Sequence, residues 1–326
     1  MAEDADQLRL VVHNPDIPDS FICRCYSDGA VFLQPIANPN EVADADCFRF
    51  ACESPGVSGE WIQDVRGNAF LVLGTERGEA LLFDFSTETT NVITLPNTSR
   101  STSPILCFTF VSLETPSDHT ILIAGRHDGT LSAWAMHPGV QPTPVKLNGY
   151  AASDAILALR AIPAISGILL QVVTTCGHIV LLSGTSSAVG WSFEDLYCLT
   201  ESATYISAKF ERNMAVCCGV GLIDVFTFQE PPGLSVVKKA QFLRSDRVFS
   251  DASVVPKKKN PFLAAIDSFG GIYLKVLNLA APNVIMPLSD DDLAEQKLPT
   301  RGVSLIVEGD SITVYDCQNW MIALSV

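Results

Sequence analysis

The chain has 326 residues, 48% apolar and only 17% charged, which allows a large buried core and excludes extended disorder. Its formal net charge of −15 repels phosphate backbones at long range, so direct DNA binding is not expected and RNA binding is disfavoured. The start, Met1-Ala2-Glu3-Asp4-Ala5-Asp6, lacks the features of a secretory or mitochondrial leader, and no apolar run reaches the roughly 18–20 residues of a membrane helix. The expectation is a cytoplasmic or nuclear protein without membrane insertion.

From the N-terminus onward, an apolar strand repeatedly enters a tight turn and leaves as a second apolar strand. The first pair is Ile22-Cys23-Arg24-Cys25 and Val31-Phe32-Leu33 around Ser27-Asp28-Gly29. The second is Phe70 to Leu73 and Leu81 to Phe83 around Glu76-Arg77-Gly78. Then follow Ile121 to Ile123 with Leu131 and Trp134 around His127-Asp128-Gly129, and Leu169 to Val173 with Ile179 to Leu181 around Cys176-Gly177-His178. The last three turns fall at Gly219-Val220-Gly221, Phe269-Gly270-Gly271 and Glu308-Gly309-Asp310. Two-residue hairpin turns need positive φ, which glycine, asparagine and aspartate tolerate best.

From Gly29 through Gly78, Gly129, Gly177, Gly221 and Gly270 to Asp310, the steps are 49, 51, 48, 44, 49 and 40 residues. Four short strands with their connections need about 40–50 residues, the length of one propeller blade. Before each hairpin lies an apolar stretch suited to an innermost strand, from Leu8-Arg9-Leu10-Val11-Val12 to a weak counterpart at Leu298 to Val303. After it comes a shorter outer candidate, such as Asn91 to Leu95, Asn283 to Met286, or Met321 to Leu324 in the last repeat. The expected fold is an all-β, seven-bladed β-propeller of four-stranded antiparallel blades in a single domain over 1–326. The blades are expected near 8–54, 59–96, 104–148, 154–191, 203–243, 247–288 and 298–326. On this reading the first and last blades are each contiguous, without an exchanged strand. Ser289 to Lys297, acidic in its first turn, is expected to form a short helix, and Ser192 to Leu196 is a weaker candidate.

These hairpins resemble the WD-repeat family. The residues that carry the resemblance are Asp128-Gly129-Thr130-Leu131-Ser132-Ala133-Trp134, Gly78 to Asp84, Gly221 to Thr227 and Asp310 to Asp316, in which Trp134, Phe83, Phe226 and Tyr315 share one offset. Leu182, Gln34 and Lys275 take that offset in the other three repeats. The family's Gly-His pair ahead of the innermost strand is missing, because Gly177-His178 sits within a turn. Its buried His-Asp network is therefore not carried over, and cohesion is expected from apolar packing. The resemblance implies a platform that binds peptides or partner domains on the face where the hairpin turns gather.

The chemistry-bearing residues form no catalytic pattern. His13, His119, His127, His137 and His178 have no metal-ligand spacing, and neither a nucleophile elbow nor a phosphate loop is present. No metal and no cofactor is expected. The ten cysteines contain no Cys-x-x-Cys and lie mostly in apolar strands, as reduced thiols would. One basic segment stands out: residues 238–259 carry seven Lys or Arg against Asp246 and Asp251, a local +5 that leaves −20 for the remainder. Candidate partner contacts are Lys257, Lys258 and Lys259 in this segment, and Arg77, Arg126, His127 and Phe269 on the turn face. The functional expectation is a non-catalytic scaffold subunit that binds other proteins of a multiprotein complex. Two alternatives are a propeller enzyme with a small-molecule site at the channel mouth, and an RNA-associated propeller using residues 238–259.

Overall fold

The computed structural model describes residues 7–13, 21–35, 48–64, 66–85, 91–97, 101–113, 119–137, 139–164, 167–187, 190–230, 235–257, 261–279 and 281–325. Their regular structure is almost wholly strand, and no helix among them is long and apolar enough to cross a membrane. Two compact units are distinguished: Arg9–Thr174 with His178–Cys198, and Met1–Leu8 with Thr175–Gly177 and Leu199–Val326.

The first unit is built from sheets that follow one another in sequence. β1 (Leu8–Val12), β2 (Phe21–Tyr26), β3 (Ala30–Pro35) and β4 (Phe48–Ala51) lie side by side in chain order. The same order holds for β5 (Gly56–Gln63), β6 (Ala69–Thr75), β7 (Ala80–Asp84) and β8 (Asn91–Thr94). It holds again for β9 (Ile105–Leu113), β10 (His119–Arg126), β11 (Leu131–Met136) and β12 (Thr143–Val145). A fourth sheet contains β13 (Leu147–Asn148), β14 (Ile156–Ala164), β15 (Gly167–Thr174), β16 (His178–Ser187) and β17 (Gly190–Thr200), with β13 added parallel to the outer strand β17.

Inward residues of successive sheets pack face to face. Val12, Cys23, Cys25, Val31 and Leu33 meet Trp61, Leu71, Leu73, Leu81 and Phe83; Val72, Leu82 and Ile62 meet Ile105, Phe108, Leu122 and Trp134. Burying each such side chain contributes about 1.5–3 kcal/mol, so the sheet-to-sheet cores are the main source of stability. The described cysteines are free thiols, and burial pushes Cys107 and Cys218 up to about 12, which keeps them protonated and inert.

In the second unit, β18 (Tyr205–Glu211), β19 (Met214–Phe228), β20 (Val236–Val255), β21 (Phe262–Asp267) and β22 (Ile272–Val276) form one sheet, with β23 (Asn283–Pro287) parallel to β20. The remaining sheet holds β24 (Gly302–Glu308), β25 (Ser311–Asp316) and β26 (Met321–Ser325).

Three expectations need correction. Among the described residues, hydrogen bonding groups the strands into six blades, not seven, and three of the six are four-stranded. The cause is β20, which pairs with β19 through Lys238 to Leu243 and with β21 through Phe249 to Val255, so that two expected repeats share one sheet. Secondly, the expected helix at Ser289 is a single 3-10 turn, Asp290–Asp292. There Asp292 accepts hydrogen bonds from Ser289 N (2.8 Å) and Oγ (3.0 Å), while Ser192 to Leu196 lies inside β17.

The third correction concerns the phase of the last repeat. In β6–β7, Thr75 N donates to Glu79 O and Gly78 N to Thr75 O; Arg126, Thr130 and Gly129 repeat this between β10 and β11, and Asp267, Gly271 and Gly270 between β21 and β22. The same pattern joins Asp316, Trp320 and Asn319 between β25 and β26. Asn319, at φ 62°, thus stands where Gly78, Gly129 and Gly270 stand at 76–79°. It lies 49 residues after Gly270. The turn at Glu308-Gly309-Asp310 is the preceding connection, β24 to β25, and Tyr315 is on a second strand, unlike Trp134 and Phe83 on third strands. Asp310 imitates the repeat marker in the sequence because its neighbour Gly309 also has positive φ, at 59°.

Candidate functional site

The turn between β10 and β11 builds the most elaborate polar feature of the first unit. Its glycine cannot be replaced: a Cβ on Gly129 would lie 2.3 Å from Ala152 O, and φ is 79°. Asp128 shapes the turn by accepting from Thr130 N (3.1 Å), Thr130 Oγ1 (2.6 Å) and Ser101 Oγ (2.5 Å). Burial alone would raise this carboxyl, but those hydrogen bonds and the nearby Arg126 charge bring it below the ordinary aspartate range.

Arg126 occupies the turn position filled by Thr75 and Asp267 in other sheets, and is 1% exposed. Its Nε donates to Ser132 Oγ (2.9 Å) and its Nη1 to Gly78 O (3.1 Å) and Ser103 O (2.8 Å), which ties the β10–β11 turn to the β6–β7 turn. Desolvation lowers its pKa, opposed by Asp128. Its Nη2 makes no hydrogen bond among the described residues.

Above this guanidinium lies an open groove of about 710 Å³. Glu76, Arg77 and Glu79, Thr94, Pro96 and Asn97, and Arg126 and Trp134 line it. Trp134 is held by a hydrogen bond from its Nε1 to Pro96 O (2.7 Å). Arg77 is exposed, 3.8 Å from Glu53, and Glu76 pairs with Arg9 at 3.2 Å. Two of the sequence-derived contacts, Arg77 and Arg126, therefore line one groove, and His127 is exposed beside them. Thr94, Pro96 and Asn97 escaped sequence reasoning because they come from the end of the outer strand β8 and the residues just after it, in the sheet next to the β10–β11 turn.

The other candidates lie in the second unit. Phe269 is half-exposed under the Arg247 guanidinium, 5.1 Å from its ring centroid. Lys257 is 3.5 Å from Asp310, while Lys258 and Lys259 fall outside the described residues. Much of the basic segment is internally paired. Lys239 reaches Glu201 (2.7 Å) and Asp224 (3.4 Å), Arg244 reaches Asp290 (2.7 Å), and Arg247 lies 3.6 Å from Asp267. Lys238 donates to Leu279 O at 2.7 Å.

These cations anchor two buried carboxylates. Asp224 accepts from Tyr205 Oη (2.6 Å) and Gln241 Nε2 (2.9 Å), and desolvation raises its pKa despite those bonds. Asp267 accepts from Tyr273 Oη (3.0 Å) and from the amides of Phe269 and Gly271 (2.8 Å each). Polar pins of Tyr-Asp and Arg type thus supplement the apolar packing expected to hold the sheets.

No protein-family model and no curated protein sequence matches the chain. Solved structures do. Sqt1 of Saccharomyces cerevisiae superposes with a TM-score of 0.63 at 12% identity, over 100% of this chain and 84% of its own. The WD40 β-propeller domain of Doa1 gives 0.59 at 13% identity, over 98% and 92%. The computationally designed Ika8 protein gives 0.58 at 11%, over 98% and 96%. The fold is that of a WD40-type β-propeller, as the resemblance of the hairpins implied. At such identities the likeness concerns the fold alone.

Proposed function

We propose that this chain is a non-catalytic interaction platform, a single propeller domain over 1–326 that joins other proteins in a cytoplasmic or nuclear multiprotein assembly. The observation that carries this reading is the groove over Arg126. A rigid turn network places an unengaged guanidinium NH2 group and an indole along a formed cleft, with mixed charge around it. Such a cleft suits an extended peptide, whose carbonyl or carboxylate oxygen would meet Arg126 while an apolar side chain lies on Trp134. Arg77 and His127 border it as secondary contacts, and Phe269 and Lys257 are proposed as contacts of the other unit. The internal pairing of Lys239, Arg244 and Arg247 argues against the alternative in which this segment grips RNA.

Gentle purification from native extract, followed by size-exclusion chromatography, provides the test. A partner should co-elute at fixed stoichiometry with the wild-type protein and be lost when Thr94→Trp fills the groove while the thermal midpoint is unchanged. A protein that elutes alone, or a partner indifferent to Thr94→Trp, overturns the reading.

A further inference from the structure

We propose that the free edge of β26 is a docking site for an extended, uncharged segment of a partner protein, which adds as the fourth antiparallel strand of its sheet. This surface shares no residue with the groove and stands independently of it.

Three observations lead there. The sheet β24-β25-β26 has three strands among the described residues, whereas each of the first three sheets has a fourth beyond the strand corresponding to β26. Those fourth strands, β4, β8 and β12, are antiparallel to their neighbours. Each lays an apolar side chain on the core: Phe50, Ile93 and Val145. The corresponding third strands bury their inward residues, among them Val31, Leu33, Leu82, Phe83, Ala133 and Trp134. On β26, Ile322 and Leu324 pack against the core yet stay partly exposed, as side chains do when their cover is missing.

The second observation is the turn. Gly29 O accepts from Cys52 N, Gly129 O from Ala152 N, Gly177 O from Glu201 N and Gly270 O from Leu298 N. In each case the donor follows the outermost strands and sits four residues before the next inner strand. At Gly78 O, with no amide donor among the described residues, Arg126 Nη1 takes that place (3.1 Å); Asn319 is the counterpart of these glycines, and among the described residues neither an amide nor a side chain reaches its carbonyl.

The third is the chemistry of the edge itself. Met321-Ile322-Ala323-Leu324-Ser325 carries neither charge nor proline, the usual guards against strand pairing. By contrast β4 carries Arg49, β12 Pro144 and β23 Pro287, while β8, which already completes its sheet as a fourth strand, is as unguarded as β26. An unguarded edge with unpaired backbone groups is a template for strand addition. A partner segment is favoured over a second copy because two chains of net charge −15 repel each other, whereas a neutral strand with basic flanks does not meet that field. The segment should be neutral, with one β-branched or aromatic residue directed toward Ile322 and Leu324.

Hydrogen exchange of residues 320–325 provides the test, read in the purified chain and in a fusion that appends a short Gly-Asn turn and the neutral β8 sequence Asn-Val-Ile-Thr after Val326. A control fusion carries proline at alternate positions of the added strand. Expected are fast exchange of half of the β26 amides in the chain alone, at least tenfold slowing in the fusion, and none in the proline control. A photo-cross-linking residue at Met321 should then mark an extended segment of one co-purified protein, with Thr94→Trp leaving the cross-link intact. The proposal is overturned if β26 is already as protected as β7, since its edge is then covered by the chain itself. It is equally overturned if the added strand gives no slowing, or if protection rises with protein concentration, which would make a second copy the occupant.

Discussion

Arg126 shows how one side chain can serve both cohesion and recognition. It was legible in the sequence as a basic residue next to a turn, but its burial was not, because Gly78 O and Ser103 O reach it from 48 and 23 residues away. Replacing it by Met keeps volume and strands two buried carbonyls, so Arg126→Met should destabilise the fold by about 2–4 kcal/mol, measured by urea denaturation. Glu60, on β5, gives a pH test. Burial raises its carboxyl from 4.5 to about 7, outweighing a backbone hydrogen bond that lowers it. The folded state therefore holds a proton that the unfolded chain releases. The contribution of Glu60 to stability should be greatest below pH 4.5, fall by about 3 kcal/mol as pH rises through 7, and then level. Glu60→Gln should flatten that slope, as read from denaturation curves at intervals across the window. The lowered carboxyls of Asp128 and Asp292 act oppositely, but only below their ordinary value of 3.8, outside this window.

Among the elements, strands with glycine turns were plain in the sequence because both depend on neighbouring residues: alternating or continuous apolar runs, then a backbone bend with positive φ. Where two turns in one repeat both meet that condition, local chemistry does not rank them. Gly309 and Asn319 are such a pair, and the hydrogen bonds of Asp316 identify Asn319 as the repeating one. Asn319→Gly should be neutral or stabilise by up to about 1 kcal/mol, and Asn319→Val should cost about 1–2 kcal/mol, as thermal melts would show. Equal destabilisation by both would remove Asn319 from the turn role. β20 makes the same point at greater length. Its twenty residues read as the end of one repeat and the start of another, and nothing local says that the strand runs through.

For the molecule as a whole, the acidic charge and the internal pairing of the basic segment predict weak affinity for nucleic acid. Fluorescence anisotropy with labelled single-stranded RNA at low salt should show no salt-sensitive binding, and a Lys257→Glu variant should match the wild type. Salt-sensitive binding lost in that variant would restore the RNA reading. Composition, repeat spacing and turn chemistry by themselves determined an all-β chain of blade-length repeats, since these follow from burial and backbone preferences along the sequence. Only the tertiary structure decided that the strands make six sheets, that Arg126 is buried under a groove, and that Arg244 and Lys239 are matched by Asp290 and Glu201. It also decided that, among the described residues, the sheet of β26 has three strands. Each of these depends on which distant segments come within hydrogen-bonding or charge-pairing distance, and no local pattern carries that information.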